Sequence, residues 1–268
     1  MNEKGESTLK ILIEKLKYFN YSDITIKMYS FYVKQFIYSQ NKSFLHLNSD
    51  DYSTYLLNYK YTSISQQNQV INSLKFLYEK VLNKKYNKVC FERPRSEKKL
   101  PTPIDSKFLV CQIEKIENIK HKAIISLAFS VGLRVSEIIN LKISDIDSKR
   151  MLIKIVQSKG KKDRYVPLSE GMLGLLRSYI KKCRPKEYLF NGQNSINYTP
   201  TSCNALVKKY IGKQYHFHQL RHSCFTYLLE SGVDLRIIQK IAGHSSSKTT
   251  EIYTHVSNHT LSKINLPL

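Results

Sequence analysis

Three short runs near the C-terminal end decide how this chain reads: His218-Gln219-Leu220-Arg221-His222, Ala242-Gly243-His244-Ser245 and Thr249-Thr250-Glu251-Ile252-Tyr253-Thr254-His255. Their surroundings have the grammar of helices. His218 to Ser231 reads as a helix closed by Gly232. Asp234 caps Leu235 to Ala242, with Gly243 as the closing residue, and Ser247 is placed to cap a helix bearing Tyr253. His218 and Arg221 stand three apart and share a face of the first helix, in a first turn whose free N–H groups favour an anion. His222 is the next residue and points elsewhere, so it reads as a packed or supporting histidine.

Outward from these runs, the same helical periodicity fills most of the chain. Asp105 caps a helix to about Ile116, and His121 to Val131 is a strongly apolar helix ending at Gly132. Gly132-Leu133-Arg134-Val135-Ser136-Glu137 then presents Arg134 on a turn, and Ser136 to Leu141 starts another helix. Met151 to Gln157 and Arg164 to Leu168 read as two strands around a basic tip, Ser158-Lys159-Gly160-Lys161-Lys162-Asp163. Helices are expected again at Ser169 to Lys182 and Thr199 to Tyr210. Residues 1–90 carry Leu9, Leu12, Ile13 and Leu16, then Ile26, Tyr29, Val33, Phe36 and Ile37, at helical spacing. Further helices are expected at Asn48 to Tyr59 and Ser63 to Leu82, which makes a small four-helix unit. Pro94, Pro101 and Pro103 stand in a charged stretch with little to bury, so residues 91–104 read as a linker. The fold class is therefore mostly α with a small β-hairpin or sheet, in two domains, 1–90 and 105–268.

Lys and Arg number 43 against 21 Asp and Glu, a net charge of +22. Solubility needs only a few charges, so an excess of this size points to a polyanion, with nucleic acid the first candidate. An A/T-rich coding bias accounts for part of it, but the same bias raises Glu and Asp too. The lysines of the N-terminal unit (Lys10, Lys15, Lys17, Lys27, Lys34, Lys75 and Lys80) suit a surface that grips a phosphate backbone. No stretch reaches transmembrane length, and Met1 to Glu6 has none of the character of a secretory signal, so no membrane partner is expected. The five cysteines are scattered without a C-x-x-C pair, which argues for reduced thiols and a cytoplasmic location, and against a zinc site or a disulfide framework. No grouped carboxylates and no P-loop are present, so no metal or other cofactor is expected.

The chemistry of the remaining candidates is that of a phosphodiester. A guanidinium binds two phosphate oxygens at once. Arg134 and Arg221 together would neutralise the extra negative charge of a pentacovalent transition state. Glu137 is placed to orient Arg134 or a histidine, or else is a surface glutamate. Lys159, Lys161 and Lys162 all compete to donate a proton to a leaving oxygen. Tyr253 has an ordinary pKa of about 10, so forming its phenolate near pH 7 costs roughly 4 kcal/mol. A nucleophilic tyrosine needs a proton acceptor and nearby cations. His218 is a candidate acceptor, and His244 is placed to hydrogen-bond the same phosphate.

Taken in order, these motifs resemble the tyrosine recombinase (phage integrase) family, among its compact Xer-like and mobile-element members. The matches run from Gly132-Leu133-Arg134 through Lys159-Gly160, His218-Gln219-Leu220-Arg221 and Ala242-Gly243-His244 to Tyr253. The N-terminal helices resemble that family's SAM-like core-binding domain. The resemblance implies that Arg134, Arg221 and His244 bind the scissile phosphate, with Lys159 as general acid and His218 as general base. It further implies that Tyr253 forms a 3′-phosphotyrosine and that Glu137 and His222 support the site. Lys161, Lys162 and Arg164 are then expected to contact DNA. Partners are expected to be double-stranded DNA with a specific recombination site, and four protomers acting on two duplexes through a Holliday junction. Leu261, Ile264, Leu266 and Leu268 form a short apolar tail expected to dock on a neighbour, and residues 1–8 leave no room for an arm-site domain. Two other outcomes share some of these parts: a type IB topoisomerase-like nicking and closing activity, and a DNA-binding regulator without catalysis.

Overall fold

The computed structural model describes residues 3–40, 47–85, 91–95, 102–156, 163–192, 195–244 and 246–254. Lys159, Lys161 and Lys162, most of the hairpin tip, Cys90, linker residues 96–101 and the apolar tail from Leu261 to Leu268 lie outside them. The backbone separates into two compact units, Met1–Lys98 and Lys99–Leu268.

In the first unit, helices α1 (Glu3–Tyr18), α2 (Asp23–Ser39), α3 (Ser49–Asn58) and α4 (Ile64–Phe76) follow one another, and α4 continues into a π-helical turn at Leu77–Val81. Their starts are chemically marked. The Ser22 hydroxyl accepts from Thr25 N–H, and the Asn48 side chain accepts from Asp50 and Asp51 N–H. The Ser63 hydroxyl accepts from Gln66 N–H. The apolar stripes read from the sequence meet in one core of Leu12, Leu16, Val33, Phe36, Tyr52, Leu74 and Leu77. Lys10, Lys17, Lys27, Lys34 and Lys80 stay exposed, whereas Lys15 and Lys75 are half-buried.

The second unit is built around α6 (Ile119–Val131), preceded by α5 (Ser106–Glu114). Ala123, Ile124, Ile125, Leu127, Ala128 and Val131 of α6 are all buried. A helix apolar on nearly every side must be wrapped by others. Those that pack on it include α5, α7 (Val135–Ile139), α8 (Glu170–Cys183), α9 (Pro200–Tyr210) and α10 (Phe217–Glu230). It begins two residues before His121, because the Asn118 side chain, unnoticed in the sequence, accepts from His121 N–H. The expected hairpin is part of a three-stranded antiparallel sheet, β1 (Ile146–Asp147), β2 (Leu152–Ile155) and β3 (Arg164–Pro167), in that spatial order. Ile153 and Ile155 of β2 are buried while Leu152 and Lys154 are not, the period-2 pattern of a one-sided sheet. β1 is two residues long, too short to leave a periodic trace. The chain ends its described part with α11 (Leu235–Ala242) and α12 (Lys248–Glu251).

Two glycines close helices by adopting left-handed backbone, Gly132 after α6 (φ 63°) and Gly243 after α11 (φ 60°). Each is also crowded. A Cβ on Gly132 would lie 2.6 Å from the Phe225 ring, and one on Gly243 would lie 3.0 Å from the Arg164 side chain. Gly132→Ala is therefore expected to destabilise the second unit by about 1–3 kcal/mol, from left-handed strain and displacement of Phe225. Urea unfolding followed by circular dichroism measures it, and a change below about 0.5 kcal/mol would contradict the packing described.

Candidate active site

The two helix ends closed by these glycines point at one side chain. Arg221, on α10, is only 1% exposed. Its Nη1 donates to the Gly132 carbonyl at 2.5 Å and its Nη2 to the Ala242 carbonyl at 2.6 Å. Both acceptors belong to helix C-termini, where unpaired carbonyls and the helix dipole favour a cation. Phe225, one turn further along α10, lies under the guanidinium with its centroid 4.7 Å away. Burial, then the neighbouring Arg134, lower the Arg221 pKa to about 10, which leaves it charged at neutral pH.

Arg134 approaches from the α6–α7 turn. Its backbone N–H donates to Glu137 Oε2 at 2.9 Å and its Nη1 to Oε1 at 2.8 Å. Glu137 is 7% exposed, so it is a buried anchor and no surface glutamate. It also takes a two-pronged grip from Arg164 on β3, Nη1 to Oε1 at 2.8 Å and Nη2 to Oε2 at 2.9 Å. Burial alone would raise the Glu137 pKa. The hydrogen bonds and charge of Arg164, then those of Arg134, outweigh it and hold the carboxyl below its usual range. Arg164 spends its remaining Nε on the Ile241 carbonyl at 2.8 Å. The expectation that Arg164 contacts DNA is corrected accordingly: its fork is turned inward and committed to Glu137 and α11.

His244 follows Gly243. Its Nε2 lies 3.0 Å from Arg221 Nη2 and its Nδ1 2.9 Å from the Thr250 hydroxyl. An arginine only donates, so Nε2 is the acceptor and the imidazole proton sits on Nδ1, facing Thr250. Thr250 is fully buried, and the sequence marks it only by its place three residues before Tyr253.

Tyr253 itself lies just past α12, in a turn, and is 3% exposed. Ser247 starts α12 with helical backbone and makes no side-chain cap, contrary to the expected capping. The tyrosine hydroxyl is 3.0 Å from His222 Nδ1, and its ring packs edge-on against Phe225 at 5.5 Å. Burial pushes the Tyr253 pKa up to about 12, against the opposing pull of Arg221. The expectation that His222 points away is overturned. α10 starts at Phe217, with His216 as N-cap, so Arg221 sits just beyond the first turn. His218 and His222, one turn apart, present both rings to the same side, 4.6 Å apart and edge-on.

Arg134, His218, Arg221, His222, His244 and Tyr253 thus line one cavity of about 240 Å³, with Gly243, Thr249 and Ile252 completing its wall. That size suits a phosphodiester group. Three guanidiniums stand against one carboxylate here, and the histidines add little positive charge of their own. Burial lowers the pKa of His222 to about 4, helped by His218, and that of His244 to about 4, helped by Arg221. Among the described residues no group of His, Cys, Asp and Glu is arranged to hold a metal ion.

A histidine whose folded pKa lies below its unfolded value gains its proton only on unfolding, so acid favours the unfolded chain. Stability should then fall as pH drops from about 7 through the unfolded histidine value toward 4. In DNA-free protein the melting temperature is expected to be several degrees lower at pH 5 than at pH 7.5, by scanning calorimetry; an unchanged value would contradict neutral burial of these rings. Glu137→Ala strands two guanidiniums and is expected to cost about 3–5 kcal/mol in denaturant unfolding, with Glu137→Gln losing less.

Comparison with known proteins bears on this arrangement. Residues 106–259 match the model of the phage integrase family, and residues 9–88 match the phage integrase N-terminal SAM-like domain. Tyrosine recombinase XerA of Pyrococcus horikoshii is 34% identical over 243 residues, 87% of this chain and 83% of that protein. Tyrosine recombinase XerC of Staphylococcus epidermidis is 31% identical over 274 residues, 92% and 91% of the two chains. The crystal structure of XerH site-specific recombinase bound to its difH substrate superposes with a TM-score of 0.70 at 22% identity, covering 90% of this chain and 80% of that one. The chain belongs to the phage integrase family of tyrosine recombinases, enzymes of site-specific recombination that cleave and rejoin DNA.

Proposed function

We propose that Tyr253 is the nucleophile of this reaction and that Arg134, Arg221 and, once the anion draws a proton onto its Nε2, His244 hold the scissile phosphate. The observation that carries this is the single cavity shared by the Tyr253 hydroxyl and both guanidiniums. In the forward step the Tyr253 oxygen bonds to phosphorus, a 3′-phosphotyrosine forms, and a 5′-hydroxyl departs. Lys159 supplies the proton that this leaving oxygen needs. The phosphorane carries about one negative charge more than the diester, and two fixed guanidiniums favour it over the ground state. The neighbouring histidines take up the phenol proton. Attack by the 5′-hydroxyl of a partner strand reverses the step, so the bond energy stays in the protein–DNA link and no nucleotide cofactor is required.

XerH, which shares the fold, binds its difH substrate. By the same token we read the partner here as a duplex carrying a specific site, with four protomers exchanging strands between two duplexes through a Holliday junction. The net charge of +22 and the exposed lysines of the first unit support backbone contact. Residues 1–90 are read as the core-binding domain, 91–104 as the linker and 105–268 as the catalytic domain. Free thiols at Cys111, Cys183, Cys203 and Cys224 fit the reducing cytoplasm. Lys161 and Lys162 are kept as backbone contacts.

Covalent capture tests the nucleophile. A randomised pool of nicked duplexes, incubated with the wild-type chain and recovered through detergent-stable adducts, should yield a preferred sequence joined to Tyr253. Tyr253→Phe should capture none, and adducts formed by that variant would refute the assignment. On the selected duplex Lys159→Ala should slow cleavage by about 100-fold or more, and replacing the 5′-bridging oxygen with sulfur should restore it. A rate that stays low on the sulfur substrate would remove Lys159 as the acid.

A further inference from the structure

We propose that His222, rather than His218, is the catalytic residue that accepts the proton of the Tyr253 hydroxyl during attack. The inference rests on the reading of Tyr253 as nucleophile and names a partner for it. Geometry carries it. The Tyr253 hydroxyl has its hydrogen bond to His222 Nδ1 at 3.0 Å, and among the described residues none joins it to His218. A phenol ordinarily donates to a neutral imidazole nitrogen, so Nδ1 is the acceptor and the ring proton lies on Nε2. The ring of His218 abuts His222 edge-on from the preceding turn of α10 and holds it toward the tyrosine. His222, His218 and Tyr253 all line the cavity that receives the phosphate.

The groups facing this pair are Arg221 and Cys224 from α10, Arg134 from the α6–α7 turn, and His244 from the end of α11. Burial, then His218 and Arg221, keep His222 neutral, which is the form that accepts a proton. They also make it a weak base: a phenol pushed to about 12 stands against an imidazole lowered to about 4. Transfer before attack is therefore disfavoured. As the Tyr253 Oη–phosphorus bond forms, the phenol becomes acidic, its proton moves to Nδ1, and the P–O bond to the 5′-oxygen breaks. That oxygen leaves as a hydroxyl with a proton from the general acid. The imidazolium so formed faces a phosphate whose charge compensates it, and the same proton returns on religation.

The test measures adduct formation on the nicked duplex selected with the wild-type chain. His222→Ala is expected to slow it by about 100- to 10,000-fold, with partial recovery in added imidazole. His222→Asn keeps an acceptor for the hydroxyl but no base, and should be as slow as the alanine variant. The deficit of both should narrow as pH rises from 7 to 10 and solvent hydroxide takes over. His218→Asn should lose less than either. Wild-type rate in His222→Asn, or a deficit constant across pH, would reduce His222 to a positioning residue and overturn the proposal. So would a larger loss at His218. The asparagine variant is nearly isosteric, and its melting temperature and DNA binding report on folding. An adduct mapped by mass spectrometry to a residue other than Tyr253 would instead bring down the nucleophile itself, a separate failure.

Discussion

A guanidinium withdrawn almost wholly from water must find acceptors, and for Arg221 they are the carbonyls of Gly132 and Ala242. The rest of the site follows from that constraint. α6 has to end at Val131 and α11 at Ala242, since one more turn of either helix would consume the carbonyl that holds the arginine. Each helix is stopped by a glycine with positive φ, and each glycine lacks the Cβ that would strike Phe225 or Arg164. Once the two helix ends are pinned, Arg134 emerges directly after one of them and His244 directly after the other. Two elements distant in sequence are thereby brought to the same cavity.

Charge is organised with comparable economy. Glu137 is the one carboxylate that the described hydrogen bonds place among three guanidiniums, and it satisfies two of them. The pair with Arg164 fastens β3 to the start of α7, while the pair with Arg134 aims that guanidinium. Among the described residues, Arg221 donates to no carboxylate. The imbalance is a cost in the empty site and a source of affinity for an anion. Burial first, and this imbalance second, keep the buried histidines uncharged at neutral pH. On the proposed reading, the charge of a phosphodiester relaxes that pressure, so the site suits the substrate complex, and better still the more highly charged phosphorane, more than it suits itself alone.

Much of this was legible in the sequence, for identifiable reasons. Glycine after an apolar run marks a helix end, so the closures at Gly132 and Gly243 and the sites of Arg134 and His244 could be read directly. The apolar spacing gave the helices of both units. What escaped was set by tertiary contact. The partner of a buried carboxylate lies across the fold, so Glu137 read equally as an orienting group or a surface glutamate, and Arg164 read as a DNA contact. A strand of two residues, β1, has no period. Asn118 was passed over because an apolar pattern locates the middle of a helix better than its cap.

His222 shows where one-dimensional reasoning fails most instructively. Adjacent helical residues point about 100° apart, so a residue next to Arg221 was read as facing away from the site. The inference assumes that a site occupies one face of one helix. Here the cavity wraps α10: Arg221 is met from one side by the ends of α6 and α11, and His222 from another by the turn that carries Tyr253. His218, one turn before His222, completes the flank on the tyrosine side. On the roles proposed above, neighbours in sequence divide the labour, the arginine addressing the phosphate and the histidine the phenol. An in-line displacement needs such a division, since the equatorial phosphoryl oxygens and the apical nucleophile lie in different directions from phosphorus and call for separate groups.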